Sequence, residues 1–275
     1  MTKDDVDLKN TYVLDTGSES AAARLRMLDE VYGASTRQML LEAGLKPGMR
    51  ALDMACGVGT LSCWMASEVG STGHVVAADI SAAQLDVARE EWKGCADLPE
   101  IDFVEANAYD TGLPSESFDI VHTRFLLCHL DEPGKALREF YRLLKPGGVV
   151  VCHDIYLTGI TASPACRHYE RSVEIALALG EAIGVNYDFG LQLPLALLEA
   201  GFHSPVVKME TPMYFDGPKK RLWEWTFIEA SPRMLSTGVA SAEEIESVVV
   251  GMVATRENER ALAAQWPMVG ARATK

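Results

Sequence analysis

The chain has 275 residues, 48% of them hydrophobic, and a formal net charge of −14 at pH 7. That length allows one large domain or a domain with a cap, with apolar residues enough for a substantial core. The acidic balance argues against a nucleic-acid backbone or an anionic membrane as partner, since either needs a basic patch.

Cys56, Cys63, Cys95, Cys128, Cys152 and Cys166 form no C-x-x-C pair, and several lie in apolar runs. They read as buried free thiols of a reducing compartment rather than disulfides or metal ligands, so no metal site is expected. The amino-terminal Met1-Thr-Lys-Asp-Asp5 is polar and no apolar run is long enough to span a bilayer. Neither export nor membrane insertion is expected, and the expected location is cytoplasmic.

Residues 1 to about 17 are polar apart from Tyr12-Val13-Leu14. Ser18 can cap a helix from about Glu19 to Tyr32, with Leu25, Leu28 and Tyr32 on one face. Ser35 can cap a second, with Met39, Leu40 and Ala43 inward. Lys46-Pro47-Gly48 is a loop into the first strand.

The next stretch organises the chain. Ala51-Leu52 reads as a buried strand that ends in a carboxylate, Asp53. A loop with Ala55, Gly57 and Gly59 follows, and then Leu61, Trp64, Met65 and Val69 share one helix face. Strand, tight loop and helix form the first unit of a nucleotide-binding βαβ fold. Gly57 and Gly59 allow a sharp turn and a close ligand approach. Asp79, one βα unit further on, is also found in NAD enzymes, although Ser62 stands where a dinucleotide fingerprint places its third small residue. Asp53 separates the readings. A dinucleotide lays its pyrophosphate on the following helix N-terminus, where a carboxylate repels it. S-adenosylmethionine carries an ammonium and a sulfonium, which a carboxylate favours.

The pattern Asp53-x-Ala55-x-Gly57-x-Gly59 resembles the first motif of class I S-adenosylmethionine-dependent methyltransferases, with Ala55 in place of their usual first glycine. The resemblance is to the small-molecule type found in quinone and natural-product biosynthesis, and it covers about residues 47 to 155. In that family a helical arm precedes the core and an N-terminal aromatic often closes over the cofactor or substrate. Tyr12 is the candidate here; the alternative is a tyrosine that only anchors the arm.

His74-Val-Val-Ala-Ala-Asp79 is the second strand, and Ser81-x-x-Gln84 is a capping box that starts a helix. A strand-end carboxylate can take both ribose hydroxyls, so Asp79 is assigned that role; the alternative is that it only caps the helix dipole. The resemblance adds Ile80 and Gln84 to the cofactor site. Ile101–Glu105 is the third strand. Asn107-Ala108 follows where the family commonly reads Asp-Ala; the Asn107 amide oxygen can accept the same hydrogen bond from the adenine amino group.

Leu113-Pro114 and then Ser117–Arg124 give a loop and the fourth strand, and Arg124–Pro133 resembles the segment the family places beside the methionine moiety. Residues 132–144 form a helix with Ala136, Leu137, Phe140, Tyr141 and Leu144 as its apolar face. Lys145-Pro-Gly-Gly148 stops it, and Val149–His153 is the fifth strand. Ligands of such sheets sit at the strand carboxyl ends, where Asp53, Asp79, Asn107, Arg124 and His153-Asp154 all fall.

No strand signal appears from Tyr156 to Phe189. Ser163-Pro164 opens a helix with Tyr169, Val173, Ala176 and Leu177 inward. Leu193-Pro194 starts a helix that Gly201 ends, and Val206–Met209 is the sixth strand. Residues 218–264 read as helical, with Ser241-x-x-Glu244 as a capping box ahead of Ile245, Val248, Val249 and Met252. Trp266–Arg272 resembles the family's seventh, antiparallel edge strand.

The expected fold is α/β: a Rossmann-like, seven-stranded, mostly parallel sheet with helices on both faces. Residues 1–47 form a helical lid. Residues 48–275 form the main domain, with helical cap insertions at about 156–190 and 217–264. The aromatic run Met213-Tyr214-Phe215 and Trp223, Trp225 and Phe227 reads as core packing, an apolar substrate wall or a dimer contact. A homo-oligomer would form through the N-terminal arm or this aromatic-rich insertion.

Methyl transfer needs a nucleophile held against the methyl in a dry pocket, so its catalytic residues leave little trace in sequence. His153 and His129 are candidate bases, against the reading that each is a hydrogen-bonded structural residue. Asp154 can orient His153 or take a substrate cation. The function expected is methyl transfer to an N, C or O atom of a small apolar, aromatic metabolite, a natural product or a quinone-like compound. Two alternatives stay open: a scaffold or regulator that binds S-adenosylmethionine without transfer, and an NAD-dependent oxidoreductase.

Overall fold

A computed structural model of the chain describes residues 12–14, 16, 18–93 and 99–275. Cys95 lies outside them; the other five cysteines form no disulfide.

Helix α1 (Glu19–Glu42) opens the described fold, its N-terminus capped by Ser18 Oγ, which accepts from Ala21 N at 3.1 Å. One continuous helix stands where two were expected. Ser35 caps nothing: mid-helix, its hydroxyl reaches back to the Tyr32 carbonyl at 3.0 Å and contacts Glu210. Gly33 fits within this helix. A β-carbon there would lie 2.3 Å from Arg37 Nη1, so its absence lets Arg37 bridge back to Asp29.

The alternation of the central chain then follows as expected: β1 (Arg50–Met54), α2 (Thr60–Val69), β2 (His74–Asp79), α3 (Ala82–Lys93), β3 (Ile101–Glu105), β4 (Phe118–Arg124), α4 (Pro133–Leu143) and β5 (Leu144–Ile155). Successive strand residues face opposite sides. Ala51, Val75, Ile120 and Val151 pack with Met39, Leu40, Leu61 and Met65 of α1 and α2. Leu52, Val76, Val121 and Val150 pack on the other face with Ala136, Leu137 and Phe140 of α4.

The second half departs more. After β5 comes a two-residue strand, β6 (Ala162–Ser163), and α5 (Arg167–Ile183) starts three residues beyond the expected Pro164. Then follow α6 (Leu193–Glu199), β7 (His203–Glu210), β8 (Met213–Tyr214), α7 (Leu222–Thr237), α8 (Ala242–Glu257), β9 (Leu262–Ala264) and β10 (Met268–Thr274). Residues 262–264, expected to be helical, are a strand: β6, β9 and β8 form a small antiparallel sheet under the cap helices.

The main sheet has seven strands in the order β3-β2-β1-β4-β5-β10-β7. Strands β1 to β5 are parallel neighbours, while β10 runs antiparallel to both β5 and β7. The last strand is therefore antiparallel as expected but is not at the edge. Its small, buried residues (Ala271 at 0%, Ala273 at 2% exposure) fit between two partners, and β7, with Val207 and Met209 largely exposed, forms the border.

Candidate active site

The loop after β1 is built from left-handed residues: Ala55 at φ 61°, Gly57 at φ 56° and Gly59 at φ 77°. The two glycines serve different ends. A β-carbon at Gly59 would sit 3.0 Å from the Ala88 β-carbon, so Gly59 lets α2 approach α3. At Gly57 it would meet only Leu25 Cδ1 at 3.4 Å and Gln84 Oε1 at 3.8 Å, and Gly57 lines a cavity. Ala55, in place of glycine, holds the same kind of backbone at a steric cost of roughly 1–2 kcal/mol.

Three amides of this loop are already bonded. Cys56 N donates to Ala78 O at 3.0 Å, Gly59 N to Cys56 O at 3.0 Å, and Gly57 N to Asp79 Oδ2 at 2.9 Å. Asp79 Oδ1 accepts from Ser81 N at 2.9 Å. A phosphate arriving here meets a carboxylate where a dinucleotide site offers free N–H groups. Burial pushes the Asp79 carboxyl above its usual range, partly offset by those two amide bonds.

Asp53 is buried and lines the same cavity. Its Oδ2 accepts from Ser62 Oγ at 2.6 Å, and its Oδ1 lies 2.8 Å from His122 Nδ1. The sequence reading missed His122. Only the pairing of β1 with β4, which puts Asp53 opposite His122, reveals it.

The cavity measures 590 Å³, within the range of small-molecule sites. Ala55, Gly57, Asp79, Ile80, Gln84 and Ala108 line it, all of them expected site residues. Leu28, Ala176, Leu179, Tyr187, Trp223 and Trp266 line it too, contributed by α1, the cap and the segment before β10. Arg124 also borders it, donating to Asp29 Oδ1 at 3.1 Å and Thr36 Oγ1 at 3.2 Å, which fastens α1 to the end of β4. Phe125 follows at φ 56°, an unusual backbone for a bulky residue and the kind of strain found at binding sites.

Tyr12 lines the cavity, its ring edge-on to His129 with centroids 4.9 Å apart. Its hydroxyl accepts from Arg24 Nη2 at 3.5 Å, and Arg24 Nε in turn holds Glu229 of α7 at 2.7 Å. His129 lines the cavity as well; burial, with a contribution from Arg24, brings its imidazole down to about 4, so it is neutral near pH 7. Trp223 and Phe227 are buried together, as the packing reading expects, and Trp223 also lines the cavity. Trp225 instead sits under the Arg221 guanidinium.

Four expected site residues are elsewhere. Gly59 serves helix packing. Asn107 spends its amide oxygen on Tyr109 N at 2.9 Å, a local turn, and does not line the cavity. His153 is fully buried against Gly270 and Met39, and neither ring nitrogen has a partner among the described residues. Burial and the neighbouring His122 push its imidazole well below the usual range. Asp154 turns below the strand end, accepting from Cys128 N at 3.0 Å and Ile155 N at 2.9 Å, and burial raises its carboxyl to about 6. A strand-end position places His153 and Asp154 near the mouth, but the strand's alternation aims them elsewhere. Among the described residues no group of three or more His, Cys, Asp and Glu side chains could hold a metal ion, and no helix is long and apolar enough to cross a membrane.

Residues 52–152 match the sequence profile of a family described as a methyltransferase domain. A stretch of 112 residues is 38% identical to the ubiquinone/menaquinone biosynthesis C-methyltransferase UbiE of Pseudoalteromonas translucida, covering 41% of this chain and 45% of that protein. The chain thus spans less than half the length of the curated relative it matches. Among solved structures it is similar to YcgJ of Bacillus subtilis, with a TM-score of 0.61 at 16% identity, covering 88% of this chain and 98% of that one. It is also similar to a phosphoethanolamine N-methyltransferase 2 of Haemonchus contortus in complex with S-adenosyl-L-methionine, with a TM-score of 0.58 at 19% identity. That match covers 100% of this chain and 61% of the other. At these identities the two structures share the fold. The family profile ends at residue 152, so Ala176, Tyr187, Trp223 and Trp266 lie beyond it.

Proposed function

We propose that this chain is a class I S-adenosylmethionine-dependent methyltransferase acting on a small, apolar, aromatic, quinone-like acceptor. One observation carries the reading: a single cavity runs from the Gly57–Asp79 loop to a wall of Leu28, Ala176, Leu179 and Trp223. Two ligands placed at its ends would meet inside it.

The residues of the loop end fit the cofactor. Gly57 leaves room that a side chain would fill. Asp79 keeps lone pairs beyond its two amide bonds for a pair of ribose hydroxyls, and Ile80, Gln84 and Ala108 border the space for a base. Asp53, held by Ser62 and His122, sets negative charge beside the amino-acid end of such a ligand. When bound, S-adenosylmethionine supplies a methyl group on sulfur that an in-line nucleophile displaces.

The chain's own part is placement and exclusion of water. Tyr12 and α1 cover the cavity, and the Arg24–Glu229 and Arg124–Asp29 pairs tie that cover to α7 and β4. Loading and release require this cover to move. The pocket is small, apolar and short of unpaired cations, which suits a compact metabolite and not a tRNA or a protein tail. The alternative dinucleotide site is disfavoured by the Asp79 carboxylate on the Gly57 amide.

Isothermal titration with S-adenosylmethionine, S-adenosylhomocysteine and NADH tests the cofactor; heat with the first two and none with the third is expected. Release of S-adenosylhomocysteine with naphthohydroquinone as acceptor tests the transfer. Tight NADH binding alone, or methylation confined to tRNA or protein, overturns the proposal.

A further inference from the structure

Asp154 is fully buried, and no cation pairs with it among the described residues. Taking a lone carboxylate out of water is costly. Its two oxygens are divided between two segments. Oδ1 accepts from Ile155 N at 2.9 Å and closes the end of β5. Oδ2 accepts from Cys128 N at 3.0 Å, 26 residues back in the chain. The Cys128 thiol donates to the same carboxylate.

Cys128 is the centre of a short turn, Leu127–His129, in the segment that joins β4 to α4. That segment opens with Phe125 in the left-handed region, which a bulky residue holds only when its surroundings enforce it. Phe125 N donates to His153 O at 2.8 Å. The end of β5 thus grips the segment twice, at Phe125 through its backbone and at Cys128 through Asp154. Leu126, His129 and Leu130, next to these grips, line the cavity, and the His129 ring meets Tyr12 of the cover edge-on. Neither Asp154 nor Cys128 lines it.

The geometry points to Asp154 as a positioning residue: acting through Cys128, it fixes the cavity wall formed by Leu126, His129 and Leu130. It serves the site from behind that wall. A neutral side chain of the same shape does not replace it. Asparagine offers one acceptor oxygen, and its NH2 group meets an N–H donor where the second oxygen stood. The effect of Asp154 on ligand affinity rests on the function proposed above; its hold on the wall does not.

Asp154→Asn is tested near pH 7, above the range in which the parent carboxyl, raised to about 6, takes up its proton. Amide hydrogen exchange of the ligand-free chain is read by mass spectrometry. Peptides covering residues 125–130 are expected to exchange roughly tenfold faster in the variant, the size of one hydrogen bond to a charged group, with β1 and β2 unchanged. Affinity for S-adenosylhomocysteine, by titration, should fall roughly threefold to tenfold through the displaced wall. A carboxylate that only stabilises the fold speeds exchange in every strand alike, and that result overturns the assignment. Unchanged exchange over 125–130 overturns it as well, and so does faster exchange there with unaltered affinity. A parent chain that binds no S-adenosylhomocysteine overturns the proposed function, and the exchange comparison alone then decides the hold on the wall. Should Asp154→Asn not fold, the parent decides: its Cys128 amide, followed by NMR, is expected to be as protected as the amides of β5, and free exchange there overturns the assignment.

Discussion

Asp53 Oδ1 lies 2.8 Å from His122 Nδ1, and the two side chains are only 4% and 1% exposed. A strand-end acid and a histidine of the neighbouring strand thus form one buried unit, completed by Ser62. Replacing His122 with phenylalanine leaves Asp53 with Ser62 alone. Stability in urea unfolding should fall by about 1–3 kcal/mol, and affinity for S-adenosylmethionine should fall with it as Asp53 loses its orientation. An unchanged midpoint and affinity would show that the contact supports neither.

Asp79 ties its own loop together before any ligand arrives, through Gly57 N and Ser81 N. Asp79→Ala should therefore lower both the stability of the free chain and its cofactor affinity, the former by about 1–3 kcal/mol because two buried amides lose their acceptor. The ribose role read from the sequence called for an effect on affinity alone, and its helix-cap alternative for an effect on stability. A variant with normal free-state stability and weakened binding would favour the ribose role alone.

The loop backbone predicts opposite outcomes at neighbouring positions. Ala55 is left-handed, so Ala55→Gly should hold or raise stability, by up to about 1 kcal/mol after the entropy glycine adds to the unfolded chain. Gly57→Val places a β-branched residue at φ 56° on the cavity wall and should abolish S-adenosylmethionine binding. Normal binding in that variant, with the fold shown intact by circular dichroism, would remove Gly57 from the cofactor site.

His129 gives a pH signature. Its imidazole falls from 6.5 to about 4 on folding, so between those values the unfolded chain holds the extra proton and stability is lost as pH drops. Asp154 works the other way: raised from 3.8 to about 6, it loses stability as pH rises through that window. The two slopes oppose each other in the parent chain. His129→Phe removes the first, so the parent's unfolding free energy should fall relative to the variant as pH drops from 6.5 to 4, by up to about 3 kcal/mol. A constant difference across that range would contradict the burial of the ring.

His153 does not line the cavity, and its buried ring nitrogens have no partner among the described residues. His153→Leu should leave turnover near normal and hold or raise the thermal midpoint, since it removes unsatisfied polar atoms from the interior. A large loss of turnover in a stably folded variant, rescued at high pH, would reinstate His153 as a base.

What the sequence determined by itself is local. Strands β1 to β5, the left-handed loop at Gly57 and Gly59, the caps at Ser18 and Ser241, and the acids closing β1 and β2 follow from short-range pattern and backbone sterics. Gly57 and those acids, with Ile80, Gln84 and Ala108 beside them, line one cavity. The tertiary structure decided what depends on register and side-chain direction. Only strand pairing sets His122 against Asp53 and inserts β10 between β5 and β7. Only the strand's alternation turns His153 and Asp154 away from the mouth they stand beside. Only the packing of α1, α5 and α7 gathers Tyr12, Ala176 and Trp223 around one hollow. Residues so distant in sequence share no period or spacing, because their proximity arises from burial of separate helices on one sheet edge, which no local pattern encodes.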